Sequence, residues 1–302
     1  MADFFQPVFW TLFISLGTLG GIFWMVYLLV TGRKVKLQPG ETAKSTGHEW
    51  DGIEELNNPL PNWWVWMFYF TIFFGLGYLV LYPGLGVAKG ILGWSSTGNH
   101  ELEVKEAQEK YGPLYAKYAS MPIEELAKNE AALRTGNRFF VNNCAVCHGS
   151  DARGARGFPN LTDGDWLYGG KPEQIKTTIL GGRDGNMPAW LPVIGEDGVK
   201  NVASYVLSLS GREAPAEEVA AGKKIFETTC AGCHGMDAKG NQALGAPNLT
   251  DNIWLYGGNR KTIEQTIAHG RKGHMPAQKE RLGEDKAHIL AAYVYSMSQK
   301  KQ

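Results

Sequence analysis

Two long uninterrupted apolar runs stand near the start of the chain, and the remainder alternates short helical patterns with polar, glycine-rich stretches. Val8 to Val30 is 23 residues without a charge. A helix needs roughly 20 apolar residues to cross a hydrocarbon core, so this run predicts a membrane span within residues 1–32. A cleaved signal peptide fits poorly: the run has no basic leader, and it ends in Arg33-Lys34 rather than at a small-residue cleavage site. Gly17, Gly20 and Gly21 either admit a neighbouring helix closely or reflect the general frequency of glycine in membrane helices. Residues 63–88 form the second uncharged run, which opens with the interfacial aromatics Trp63, Trp64 and Trp66. Pro83-Gly84 is expected to kink or end that helix.

Between the spans, residues 33–62 are polar, with Arg33, Lys34 and Lys36 directly after the first run. By the positive-inside rule this loop is cytoplasmic, and both termini then lie across the membrane. Residues 89–130 read as a connector, with a helix over Glu101–Ala119 broken or bent near Gly112-Pro113.

Beyond the connector the chain repeats itself, as residues 131–211 and 212–302. Gly136 and Phe140 return as Gly222 and Phe226, Pro159 to Asp163 as Pro247 to Asp251, and Trp166 to Gly170 as Trp254 to Gly258. Met187-Pro188-Ala189 and Tyr205 return as Met275-Pro276-Ala277 and Tyr293. Terminal helices are expected over Val199–Leu209 and Lys286–Met297 from their helical spacing. Charge is balanced, 30 basic against 30 acidic, without a basic stripe, which excludes a nucleic-acid binder.

All four cysteines fall in two C-x-x-C-H motifs, Cys144-Cys147-His148 and Cys230-Cys233-His234. This is the pattern of covalent haem c attachment: two thioether anchors, then an imidazole placed for the iron. A shared zinc site is excluded by the long interval between the pairs and by the histidine that follows each of them. Two haems c are therefore expected, one per copy. Met187 follows His148 and Met275 follows His234 at matching places, so these methionines are expected to complete the iron ligation. His269 and His274 flank Met275 and are alternative ligands without counterparts in the first copy. Arg183 and Arg271, with Trp166, Tyr168, Trp254 and Tyr256, either contact haem propionates and edges or simply stabilise the repeated loop. His48, His100 and His288 are expected to face solvent or a partner. An iron with both axial places filled has electron transfer left to it, and no nucleophile–base set or phosphate loop stands nearby.

Each copy resembles a class I cytochrome c domain in its order of helix, haem motif, methionine loop and terminal helix. The segment His48-Glu49-Trp50-Asp51-Gly52-Ile53-Glu54-Glu55-Leu56 through Trp64 resembles the dihaem cytochrome c subunit, subunit III, of cbb3-type cytochrome c oxidases. That resemblance implies a membrane anchor before two tandem class I cytochrome c domains, which with the two apolar runs gives an all-α chain of two N-terminal transmembrane helices and two cytochrome c domains. Many members have one span, so the first helix is a departure. It also implies a bacterial inner-membrane location with the haem domains periplasmic. The implied electron path runs from a donor cytochrome c to a monohaem c subunit and a catalytic haem–copper subunit of a proton-pumping complex, this subunit itself being non-catalytic. An anchored dihaem carrier for another periplasmic redox complex, or a dihaem peroxidase, are the alternatives.

Overall fold

The computed structural model describes residues 2–299, so residue 1 and residues 300–302, at the outer ends of the expected segments, lie outside it. Residues 1–108 and 109–302 pack as two separate units.

In the first unit, α1 (Ala2–Gly32) and α2 (Asn62–Leu81) are long and apolar enough to cross a membrane. Their large side chains, Leu16, Phe23, Phe70 and Phe73 among them, stand on the outside, where lipid rather than water would cover them. The second helix is shorter than expected. It stops at Leu81, and Tyr82 is extended (φ −114°, ψ 158°), the conformation that a following proline imposes. The loop between the helices folds into a hairpin that its polarity did not announce: β1 (Ser45–Trp50) pairs antiparallel with β2 (Ile53–Leu56). Asp51-Gly52 makes the turn, with both residues at positive φ, as a two-residue hairpin loop requires.

One helix, α3 (Ser96–Ala119), runs uninterrupted through Pro113, where a break or bend was expected. The proline removes only its own N–H from the ladder, and the helix continues around it. After it come α4 (Ile123–Leu126), α5 (Glu130–Asn143), α6 (Ala145–His148), α7 (Pro172–Gly181), β3 (Arg183–Met187) and α8 (Leu191–Leu209). The second copy supplies α9 (Ala216–Ile225), α10 (Ala231–His234), α11 (Arg260–His269), β4 (Arg271–Met275) and α12 (Lys279–Gln299). Between α9 and α10, Phe226–Cys230 forms a π-helical turn that brings the haem motif off the preceding helix. Both long terminal helices are broken once, at Gly195 (φ 70°) and Gly283 (φ 72°), so their regular parts begin just after these glycines.

The packed lobes do not follow the sequence repeats. One core joins Ile123 and Leu126 of the connector and Phe140, Ile175 and Ile179 of the first copy to Leu282, Ile289, Leu290 and Ala291 of the second copy's α12. The other joins Val199, Val202, Ala203 and Val206 of the first copy's α8 to Phe226, Ile263 and Ile267 of the second. Each copy thus gives its terminal helix to the other. The expected boundary at residues 211 and 212 marks the repeat and not the packing.

The glycines at the helix crossings show how tight the exchange is. A Cβ on Gly136 of α5 would lie 2.6 Å from Cβ of Tyr293 on α12, and one on Gly222 of α9 would meet the Asn201 carbonyl of α8. The phenylalanine one turn on then meets the same tyrosine. Phe140 and Tyr293 ring centres are 5.7 Å apart, and those of Phe226 and Tyr205 are 5.2 Å apart. Burial of Phe140 and Phe226 is nearly complete, and each contributes roughly 2–3 kcal/mol.

The crossover itself is a two-stranded ribbon. β3 and β4 pair antiparallel from Arg183 opposite Met275 to Met187 opposite Arg271, with Gly185 opposite Gly273 at the centre. Past the ribbon, Trp190 N–H donates to the Ile267 carbonyl (3.0 Å) and Gln278 N–H to the Ile179 carbonyl (3.0 Å), seating each chain on the other copy.

Candidate haem sites

Each C-x-x-C-H motif ends on a single helical turn, α6 or α10, capped by its first cysteine; it follows α5, which carries Phe140, in the first copy and the π-helical turn that begins at Phe226 in the second. Among the described residues all four thiols are free of disulfides. Cys144 packs against the core that holds Phe140, and Cys230 against the core that holds Phe226. Burial pushes both of these thiols up to about 11.

The two histidines are 8 % exposed, and burial lowers their pKa, which favours the neutral ring. His148 Nδ1 lies 3.1 Å from the Pro159 carbonyl, and His234 Nδ1 lies 3.2 Å from the Pro247 carbonyl. A carbonyl only accepts, so Nδ1 carries the proton and Nε2 is left with its lone pair, the tautomer a metal ligand needs. This gives the repeated Pro-Asn-Leu-Thr-Asp motif a task that sequence reading did not assign. Its proline carbonyl orients the histidine. Its asparagine side chain accepts from Thr162 or Thr250, and its leucine N–H donates to the carbonyl of Ala152 or Ala238 (2.8 Å). Those two alanines are buried at positive φ (60° and 57°), a costly conformation for a residue with a Cβ, kept at the same place in both copies.

The methionines are exchanged along with the helices. Met187 packs on the core that contains Cys230 and Phe226. Met275 lies across the ribbon from Arg183, and its carbonyl closes against Gly182 at the end of α7. Met187 thus sits with the lobe of Cys230, and the Met275 backbone sits against the end of α7 in the first lobe. Each exchanged strand is five residues long. Arg183 is held in its own copy's lobe by Thr178 Oγ1 (3.0 Å) and by the Tyr168 ring (4.7 Å), and Arg271 by Thr266 Oγ1 (2.9 Å) and the Tyr256 ring (4.6 Å). The methionine at the far end of each strand belongs to the other lobe.

Trp166 packs on the first core and Trp254 on the second, so these aromatics stay with their own copy's motif. Tyr168 Oη, Trp254 Nε1 and Arg271 Nη2 are buried and have no hydrogen-bond partner among the described residues. Three unpaired donors at motif-linked positions fit a bound group with acceptor oxygens, and haem propionates are such acceptors. With paired thiols, a neutral imidazole and a thioether, the donor set fits haem c.

The competing histidines lie elsewhere. His269 is exposed, and His274 is exposed on the ribbon with its Nδ1 2.6 Å from Asp184. His48 and His100 are exposed as expected. His288 is not: it is 6 % exposed, with Nε2 2.8 Å from the Met121 carbonyl, and it ties α12 to the start of the first lobe.

Comparison with known proteins agrees with this chemistry. The model of the N-terminal domain of cytochrome oxidase-cbb3, FixP, matches residues 42–89, and that of cytochrome c oxidase, cbb3-type, subunit III, matches residues 131–206 and 217–294. The cbb3-type cytochrome c oxidase subunit CcoP of Rubrivivax gelatinosus is 51 % identical over 304 residues, covering 99 % of this chain and 98 % of the relative. This chain belongs to the cbb3 oxidase subunit III family. The FixP subunit of Azorhizobium caulinodans is 46 % identical, covering 84 % of this chain and 92 % of its own length. The CcoP subunit of Cereibacter sphaeroides is 38 % identical, covering 88 % and 98 %. The repeated region consists of cytochrome c domains, which bind haem c, and the chain is a membrane-anchored electron-transfer subunit.

Proposed function

We propose that the chain carries two haems c, each with histidine and methionine as axial ligands, and that these ligands are crossed between the copies. In this reading Cys144, Cys147, His148 and Met275 hold one group, and Cys230, Cys233, His234 and Met187 hold the other. Bound haem c supplies a one-electron iron couple. The chain's own residues do the rest. The proline carbonyls fix the imidazole tautomer, Met275 and Met187 would supply the second iron ligand, and Arg183, Arg271, Trp254 and Tyr168 would offer donors to the propionates. With both axial places filled, the sites favour electron transfer over oxygen or peroxide chemistry.

The relay takes electrons from a donor cytochrome c and passes them to the monohaem c subunit and then to the catalytic haem–copper subunit of a proton-pumping oxidase. This chain itself is non-catalytic. The basic flank Arg33, Lys34 and Lys36 supports a cytoplasmic loop between two inner-membrane spans, with both termini and the haem lobes periplasmic and the spans in contact with lipid. The observation that carries the reading is the matched pair of buried histidines, each with Nδ1 on a proline carbonyl and Nε2 free.

Carbon monoxide added to the reduced, purified complex tests it. The expected result is that the c-type absorption stays unshifted, while haem b and copper co-purify with the chain. A carbon monoxide shift in a c-type band would favour the peroxidase alternative. A complex without haem b and copper would favour a carrier for another redox system.

A further inference from the structure

The β1–β2 hairpin stands without a covering element. Every residue of both strands is exposed, including Trp50 at 72 % and Ile53 at 74 %. An isolated two-stranded hairpin is marginal in water, and a further surface is needed to stabilise it. The pairing register describes the missing surface. Trp50 lies opposite Ile53, which places the two large apolar side chains together on one face. Thr46 and His48 share that face through their contacts with Glu55 (3.1 and 3.5 Å). On the other face Glu49 lies directly opposite Glu54, a like-charge pair that destabilises a hairpin by itself. Residues 45–56 hold four carboxylates and no lysine or arginine, and among the described residues no cation is paired with Glu49 or Glu54.

We propose that this hairpin is a docking surface for a lysine- or arginine-bearing cytoplasmic segment of an integral-membrane subunit of the complex. The partner seats an apolar contact on Trp50 and Ile53 and places its cations by Glu49 and Glu54. The charge selects this occupant. Cytoplasmic loops of membrane proteins carry an excess of Lys and Arg. The cytoplasmic leaflet is anionic and repels a carboxylate-rich hairpin, and a second copy of the hairpin would set carboxylates on carboxylates. The inference rests on the cytoplasmic placement of the loop given above.

Zero-length carbodiimide coupling on the intact membrane complex tests it. The reagent joins a carboxylate to a lysine amine as an amide and takes up the water released. The expected product joins Glu49 or Glu54 to a cytoplasmic lysine of an integral-membrane subunit, and Glu49→Gln with Glu54→Gln abolishes it. At low salt the same variant retains that subunit about fivefold less well than wild type, the scale of two exposed ion pairs, and the difference narrows as salt is raised. Trp50→Ser with Ile53→Ser also lowers retention. Coupling only to a lipid amine, coupling to another copy of this chain, or no coupling would overturn the proposal. A Glu54→Cys variant separates the two readings. Labelling by an impermeant thiol reagent from outside the cell overturns the topology, whereas labelling from the cytoplasmic side without coupling overturns the docking surface alone.

Discussion

A single backbone carbonyl decides the state of each candidate iron ligand: with Pro159 or Pro247 accepting at Nδ1, a buried neutral imidazole has one orientation and one free lone pair. Asp165 shows the opposite use of burial. Desolvation, then the nearby Asp251 and Asp163 charges, raises its pKa above the usual carboxylate value of 3.8, and Asp163 is raised by burial as well. A raised folded value means that the folded state holds the proton more tightly than the unfolded chain. Stability from this group is then greatest in acid and is lost as pH rises from about 4 through the folded value. Asp165→Asn is accordingly expected to raise the thermal midpoint at pH 7, with the gain fading toward pH 4. Scanning calorimetry across that range checks this, and a gain independent of pH would refute the electrostatic account.

At the scale of elements, the helix contacts are made between copies, and the glycines at the crossings are their weak points. Gly136→Ala and Gly222→Ala should each destabilise the fold by about 1–3 kcal/mol, the usual scale of overpacking, measured by denaturant unfolding. Much of this layer was legible beforehand. Uncharged runs announced α1 and α2, helical spacing announced the terminal helices, and two C-x-x-C-H motifs with matched methionines marked the candidate haem ligands. The hairpin was written in Trp50-Asp51-Gly52-Ile53, a turn signal flanked by β-formers, but the polarity of the loop hid it. His288 was misread because a histidine carries no sequence mark of a backbone partner 167 residues away. The exchange was hidden for a related reason. Repeats that share the glycine, aromatic and tyrosine landmarks of the helix crossing offer each terminal helix two similar grooves, and local pattern does not choose between them. The five-residue ribbon, too short to turn back, carries each terminal segment across.

For the molecule as a whole, exchange makes the two haem lobes interdependent. A chain ending after Gly211 lacks α12 and with it Ile289, Leu290 and Ala291 of the first core. It should fail to protect the first lobe from proteolysis, although the whole first repeat is present. A protected first lobe would mean that the copies fold separately. Thermal unfolding of the full chain is expected to lose both lobes in one transition, since neither core closes without the other copy. The most direct test of the crossed arrangement is methyl NOE spectroscopy on the fully reduced chain with 13C-methyl methionine, resonances assigned through Met187→Leu and Met275→Leu. The account predicts that the Met187 methyl contacts Phe226 and Ile263, and that the Met275 methyl contacts the lobe of Ile175 and Ile179. Contacts from Met187 to Ile175 and from Met275 to Ile263 would contradict it.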